Sequence, residues 1–132
     1  MKICIVIANY YPDISKALFK GATNVLKYHK IKNYKNIIAP GIFELPTIIS
    51  RNISSYDAFI ALGCVIKGKT PHFDFISRAS IEGIMQLSIN HKKPIGNGII
   101  TCFNKNQAMS RLDKGKEAAK AVLKVLELKS TS

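Results

Sequence analysis

The chain has 132 residues, 47% of them hydrophobic and 21% charged, a balance that suits one folded domain over residues 1–132 and excludes a disordered chain. Its formal charge is +12, but the lysines scatter along the sequence and no nucleic-acid recognition signature is present, so neither nucleic acid nor a membrane is expected as a partner. Three cysteines, Cys4, Cys64 and Cys102, lack CxxC spacing and read as buried reduced thiols, not as a disulfide framework or a zinc site.

Taken in chain order, apolar runs alternate with helical patterns. Ile3 to Ala8 is a strand-sized run, too short to cross a bilayer. It leads into Asn9-Tyr10-Tyr11-Pro12-Asp13, which is not the small-residue cleavage site of a signal peptide, so a cytoplasmic protein is expected. Pro12-Asp13 opens a helix in which Ile14, Ala17, Leu18, Gly21, Ala22, Val25 and Leu26 recur at three- and four-residue steps. A second strand, Asn36 to Ala39, stops at Pro40-Gly41. Leu45-Pro46-Thr47 fits the first turn of a second helix, where a missing N–H costs nothing.

A third strand runs from Ala58 to about Val65, and a loop through Lys67-Gly68-Lys69-Thr70-Pro71 follows it. The third helix spans about His72 to Asn90, with Phe73, Ile76, Ser80, Gly83 and Leu87 on one stripe. Strand four covers Ile95 to Thr101. A last helix, Gly115 to Leu128, turns Ala119, Val122, Leu123 and Leu126 inward; Lys114, Lys116, Lys120, Lys124 and Lys129 lie on or next to it. Such alternation predicts a mostly parallel, four-stranded sheet in a three-layer α/β/α sandwich.

Ligands of open parallel sheets bind beyond the carboxyl ends of the strands. The residues there are Asn9-Tyr10-Tyr11, Pro40 to Glu44, Ile66 to His72 and Cys102-Phe103-Asn104. Aromatics, a carboxylate, a histidine and a Gly/Lys/Thr loop would share one edge, able to stack a flat ring, hold hydroxyls, cradle a phosphate and move a proton. Gly63 to Thr70 also matches the phosphate-loop pattern G-x-x-x-x-G-K-[ST]. Against that reading, Cys64-Val65-Ile66 look like the tail of a strand, and no later strand ends in an Asp to hold magnesium. Phosphate binding at the following helix N-terminus stands independently of the pattern. His72, at that helix start beside a basic loop, is either a proton carrier or a surface histidine without a role. His29 and His91 read as solvated helix ends. Glu44 suits a helix N-terminus as well as a site, and Tyr10 and Phe43 suit a core as well as a stacking surface.

Two long segments carry a family likeness. Pro40-Gly41-Ile42-Phe43-Glu44-Leu45-Pro46 resembles the PGxFE[IL]P segment of the lumazine synthases, and Ala61 to Phe75 resembles their LGxVIRGxTxHxD segment. Asn106-Gln107-Ala108, Arg111 and Lys114-Gly115 fit the downstream stretch, so the resemblance extends from about Val6 to Ala119. It implies a flavodoxin-like fold and the condensation of 5-amino-6-ribitylamino-pyrimidinedione with 3,4-dihydroxy-2-butanone 4-phosphate, with neither metal nor organic cofactor. It further implies that Tyr10 stacks on the pyrimidine and that Ile42, Phe43 and Glu44 line the ribityl pocket. Cys64, Val65 and Ile66 would meet the heterocycle through backbone. Lys69, Thr70, Arg111 and Lys114 would bind phosphate, and His72 would transfer protons.

The chain departs from the family at several points. Tyr10-Tyr11 stands where Phe-Asn is usual, Ser110 where a carboxylate is usual, and Asn97 where an aromatic normally covers the substrate from an adjacent subunit. Two readings follow: an active synthase, or a relative that binds lumazine or flavin without turnover. The resemblance implies a homopentamer with sites shared between subunits, in some members a hollow shell of sixty subunits, and riboflavin synthase as a further partner.

Overall fold

The computed structural model describes residues 1–128; Lys129, placed by the sequence beside the last helix, lies outside them. Four strands, β1 (Ile3–Ala8), β2 (Tyr34–Ala39), β3 (Ala58–Ile66) and β4 (Ile95–Cys102), form one sheet in the order β2-β1-β3-β4. Every neighbouring pair is parallel, with Ile5 beside both Asn36 and Ile60, and Gly63 beside Ile99. The helices are α1 (Pro12–Tyr28), α2 (Leu45–Asn52), α3 (His72–His91), α4 (Lys105–Met109) and α5 (Lys114–Glu127), with a 3₁₀ turn at Ile42–Glu44.

Alternation along the strands divides the core in two. Ile3, Ile5, Ile7, Ile60, Leu62 and Ile100 face one side, against Leu18, Leu26, Ala119 and Val122 of α1 and α5. Cys4, Val6, Phe59, Ala61 and Ile99 face the other, against Leu45, Ile49 and Ile84 of α2 and α3. Both faces of β1 are therefore covered, which is why it reads as an unbroken apolar run. The three-layer α/β/α sandwich expected from the sequence is the one observed.

Boundaries moved by a residue or two. β2 begins at Tyr34 instead of Asn36, because Tyr34 and Lys35 pair with Ile3 and Cys4. β4 runs one residue further, to Cys102, which pairs with Ile66. In α3, Ser80 and Ile84 are the buried positions, while Phe73, Ile76, Gly83 and Leu87 of the expected stripe are half-buried. The helix α4 was not foreseen. Its five residues are too few to show an apolar period.

Chain reversals are set by local hydrogen bonds. Ser15 Oγ donates to the carbonyl oxygens of Ala8 and Tyr11, both at 3.0 Å, tying the start of α1 to the end of β1. The helices α1 and α5 cross closely: a β-carbon at Gly115 would run into the Leu18 carbonyl, so only glycine permits that approach.

Candidate active site

The strand order reverses between β1 and β3, since β2 lies outside one and β4 outside the other. Loops leave such a switch point in opposite directions and open a crevice at the carboxyl edge. There lies a cavity of about 490 Å³, walled by residues that follow β1, β2 and β3. Tyr10 and Tyr11 supply one side, Ile42, Phe43 and Glu44 another, Cys64, Val65 and Ile66 the floor, and His72 the mouth. Of the residues that the sequence marked, these stand together. Gly41, also at the marked edge, and Ile76, which was read only as part of a packing stripe, line the cavity too. The signal for Ile76 was a position one helical turn beyond His72.

Each wall has a local cause. Tyr11 is extended as the N-cap before Pro12 opens α1, and Tyr10, between β1 and that cap, is 73% exposed. Its ring meets Tyr11 edge-on, with centroids 4.9 Å apart, which holds both at the rim. After β2, the 3₁₀ turn buries Ile42 and leaves Phe43 58% exposed. Glu44 occupies the N-cap of α2, but its side chain makes no capping bond, so its carboxylate is available to a ligand. Beneath it, Gly63 is hemmed by Ile42 and by Ala8, whose Cβ would lie 3.0 Å from an added methyl.

The floor is not a phosphate loop. Cys64, Val65 and Ile66 remain in β3 and pair with Ile100, Thr101 and Cys102, which withdraws their backbone from any wrapped anion. Burial, and then the neighbouring Cys102, push the Cys64 thiol up to about 12, so it is protonated at neutral pH and supplies no nucleophile. All three cysteines are free and buried. Burial also raises the Tyr11 phenol, with Cys64 beside it, so this hydroxyl is a neutral donor. The hydrogen bond from Lys105 holds the Asp13 carboxyl below its ordinary value, across a 3.2 Å ion pair joining α4 to α1.

Lys69 and Thr70 sit in the exposed loop between β3 and α3, and Thr70 Oγ1 accepts from the His72 amide at 3.4 Å. The remaining marked residues stand apart from the cavity. Arg111 Nη1 donates to the Thr101 carbonyl at 3.3 Å, and Lys114 opens α5. Asn97 pairs with Ala61, three residues before Cys64, and so lies roughly 10 Å back along the sheet from the cavity floor. Its Oδ1 accepts from the Ile99 amide at 3.1 Å. Among the described residues no group of three or more His, Cys, Asp or Glu could hold a metal ion.

This is a parallel α/β fold whose crevice holds exposed aromatics, a carboxylate free of capping and a histidine at a helix start. The sequence profile described as 6,7-dimethyl-8-ribityllumazine synthase matches residues 1–130. A Bartonella tribocorum protein named 6,7-dimethyl-8-ribityllumazine synthase is 40% identical, over 96% of this chain and 89% of its own length. One from Agrobacterium fabrum is likewise 40% identical, over 96% and 93%, and one from Cutibacterium acnes 36%, over 100% and 84%. The chain belongs to the 6,7-dimethyl-8-ribityllumazine synthase family.

Proposed function

We propose that the chain makes 6,7-dimethyl-8-ribityllumazine from the ribitylamino-pyrimidinedione and dihydroxybutanone phosphate. The observation that carries this reading is the single cavity that gathers Tyr10, Phe43, Glu44, Cys64, Val65, Ile66 and His72. Tyr10 stacks on the pyrimidine, and Glu44, free of capping, accepts from the ribityl hydroxyls. Backbone at Cys64 to Ile66 meets the heterocycle. The N-terminus of α3 with Lys69 and Thr70 takes the phosphate, where exposed amides and the helix dipole favour an anion.

In the reaction the pyrimidine amine attacks the ketone, an imine forms, phosphate leaves, and the ring closes with loss of water. These steps need juxtaposed reactants and a proton carrier more than a strong nucleophile. Holding both substrates together contributes up to ~7–11 kcal/mol in the best intramolecular cases. His72, at the mouth, carries the protons. Exchanging it for Ala is expected to lower kcat about 10²-fold without abolishing turnover, since proximity persists. Steady-state absorbance with both substrates and no added metal measures this. Unchanged turnover removes His72 from the mechanism, and tight binding of the ribityl substrate without turnover in the parent chain identifies a binding relative instead.

The active form in this reading is a homopentamer whose sites lie between adjacent subunits. Three features support it. Tyr10 and Phe43 stand exposed at the cavity mouth, α3 presents Phe75, Met85 and Ile89 outward, and Asn97, Arg111 and Lys114 lie away from the cavity of their own chain. Arg111 and Lys114 then complete a neighbour's phosphate site, and Asn97 covers its ring.

A further inference from the structure

The synthase site uses few of the twenty Lys and Arg that stand against eight Asp and Glu. Scattered in sequence, several of the lysines converge in the fold. An open groove of about 640 Å³ runs between α1 and α5, walled by Asn24, Tyr28 and His29 on one side and Asp113, Lys116 and Lys120 on the other. A second hollow, of about 310 Å³, shares His29 and Lys120 and continues to Lys124 and Glu127. On α5 the lysines at 116, 120 and 124 recur every four residues, so they form one stripe with a rise of about 6 Å between members. On the opposite wall, exposed Lys20 stands one turn before Asn24, and exposed Lys27 adjoins Tyr28.

Two further observations give the groove a character beyond charge. Tyr28 is 84% exposed, so most of its ring is open to solvent, and it meets His29 in a T-shaped contact with centroids 5.2 Å apart. The groove's carboxylates, Asp113 and Glu127, sit at the two ends of α5, and Glu127 is 3.9 Å from Lys124. The middle of the groove is therefore the positive part.

We infer that this groove binds single-stranded nucleic acid, with phosphates along the lysine stripe and a base stacked on Tyr28. Regularly spaced ammonium groups match a repeating phosphate chain, and an open aromatic face accepts any unstacked base. A duplex keeps its bases stacked away from Tyr28. A membrane is planar, so it would touch the lysine tips without entering the groove. The groove shares no residue with the catalytic cavity, so the two activities are separable.

The test is fluorescence anisotropy of labelled oligo-dT and oligo-U, twenty nucleotides long, titrated with the full chain at several salt concentrations. Three lysine contacts give a log–log salt slope of about −2. The triple variant Lys116→Ala, Lys120→Ala, Lys124→Ala is expected to weaken binding roughly tenfold or more and to flatten that slope. Tyr28→Ala is expected to weaken it roughly tenfold with the slope unchanged, which separates stacking from charge. Thermal melting by circular dichroism confirms that each variant is folded. Failure to bind in 0.1 M salt, or affinity indifferent to either variant, overturns the proposal. Stronger binding to a duplex of equal length, or to vesicles of phosphatidylserine and phosphatidylcholine, overturns it as well and reassigns the surface.

Discussion

The two helical layers cover the same sheet to different degrees. On the α1/α5 side the helices meet each other through Gly21 and Gly115, bury Ile14, Leu18, Ala22, Leu26, Ala119 and Val122, and turn lysines to solvent. On the α2/α3 side, Ser80 and Ile84 are the buried residues of a twenty-residue α3, and Phe75, Met85 and Ile89 remain more than half exposed. One layer thus buries its apolar residues within the chain, whereas α3 leaves several of its own exposed.

The sharpest way to break this comparison is to disturb the α1/α5 layer. Gly115→Ala drives a methyl into the Leu18 carbonyl, which is backbone and cannot swing aside. A loss of about 1–3 kcal/mol is expected, read as a denaturant midpoint that shifts at every protein concentration. A midpoint equal to the parent's would mean that α1 and α5 can slide apart freely.

A smaller effect compares one thiol from each side. Burial pushes Cys4, on the α2/α3 side, up to about 11 and Cys64, on the α1/α5 side, up to about 12, from an ordinary value of 9.0. The folded state therefore holds these protons more tightly than the unfolded chain. This contribution to stability is complete below pH 9 and is lost as pH rises toward 11 for Cys4 and 12 for Cys64. Alkaline denaturation series should show Cys4→Ala and Cys64→Ala each reducing the fall above pH 9. Curves parallel to the parent's would place the alkaline sensitivity elsewhere.

The smallest effect on the chain itself is expected on the α2/α3 layer. Phe75→Ser with Ile89→Ser should change monomer stability by no more than about 0.5 kcal/mol, since both side chains are mostly exposed. Sedimentation velocity should nevertheless show a lower assembled mass. An unaltered mass would mean that this face of α3 is not where copies meet.

Strands and long helices were legible because burial on both faces writes them as apolar runs, and packing on one face writes an apolar period. β1 appears at its observed bounds for that reason. α4 has neither signal. What it has is a cap: Asn104 Oδ1 accepts from the Gln107 amide at 2.9 Å, and Gln107 Oε1 accepts from the Phe103 amide at 2.7 Å. The Asn-x-x-Gln spacing that announces this arrangement was present in the sequence. The cavity was legible where its residues follow a strand or end one, as Tyr10 and Glu44 do after β1 and β2 and Cys64 does near the end of β3. Residues such as Asn97 and Arg111 were legible as chemistry but not as geometry, because strand register and the return of the chain through α4 decide where they stand. The lysine groove was hidden for a related reason: α1 and α5 lie at opposite ends of the sequence.

Gly63 carries a consequence for how this site can change. A β-carbon at position 63 would press on the tip of the Ile42 side chain, which can swing, and would lie 3.0 Å from the Ala8 β-carbon, which cannot. A larger residue there would force a new rotamer on Ile42, which belongs to the turn that carries Phe43 and Glu44. The floor is thus the tighter part of the cavity, and the rim residues Tyr10, Tyr11 and Phe43 have more room for change. Directed libraries restricted to those three positions should yield more working variants than equally large libraries that include position 63.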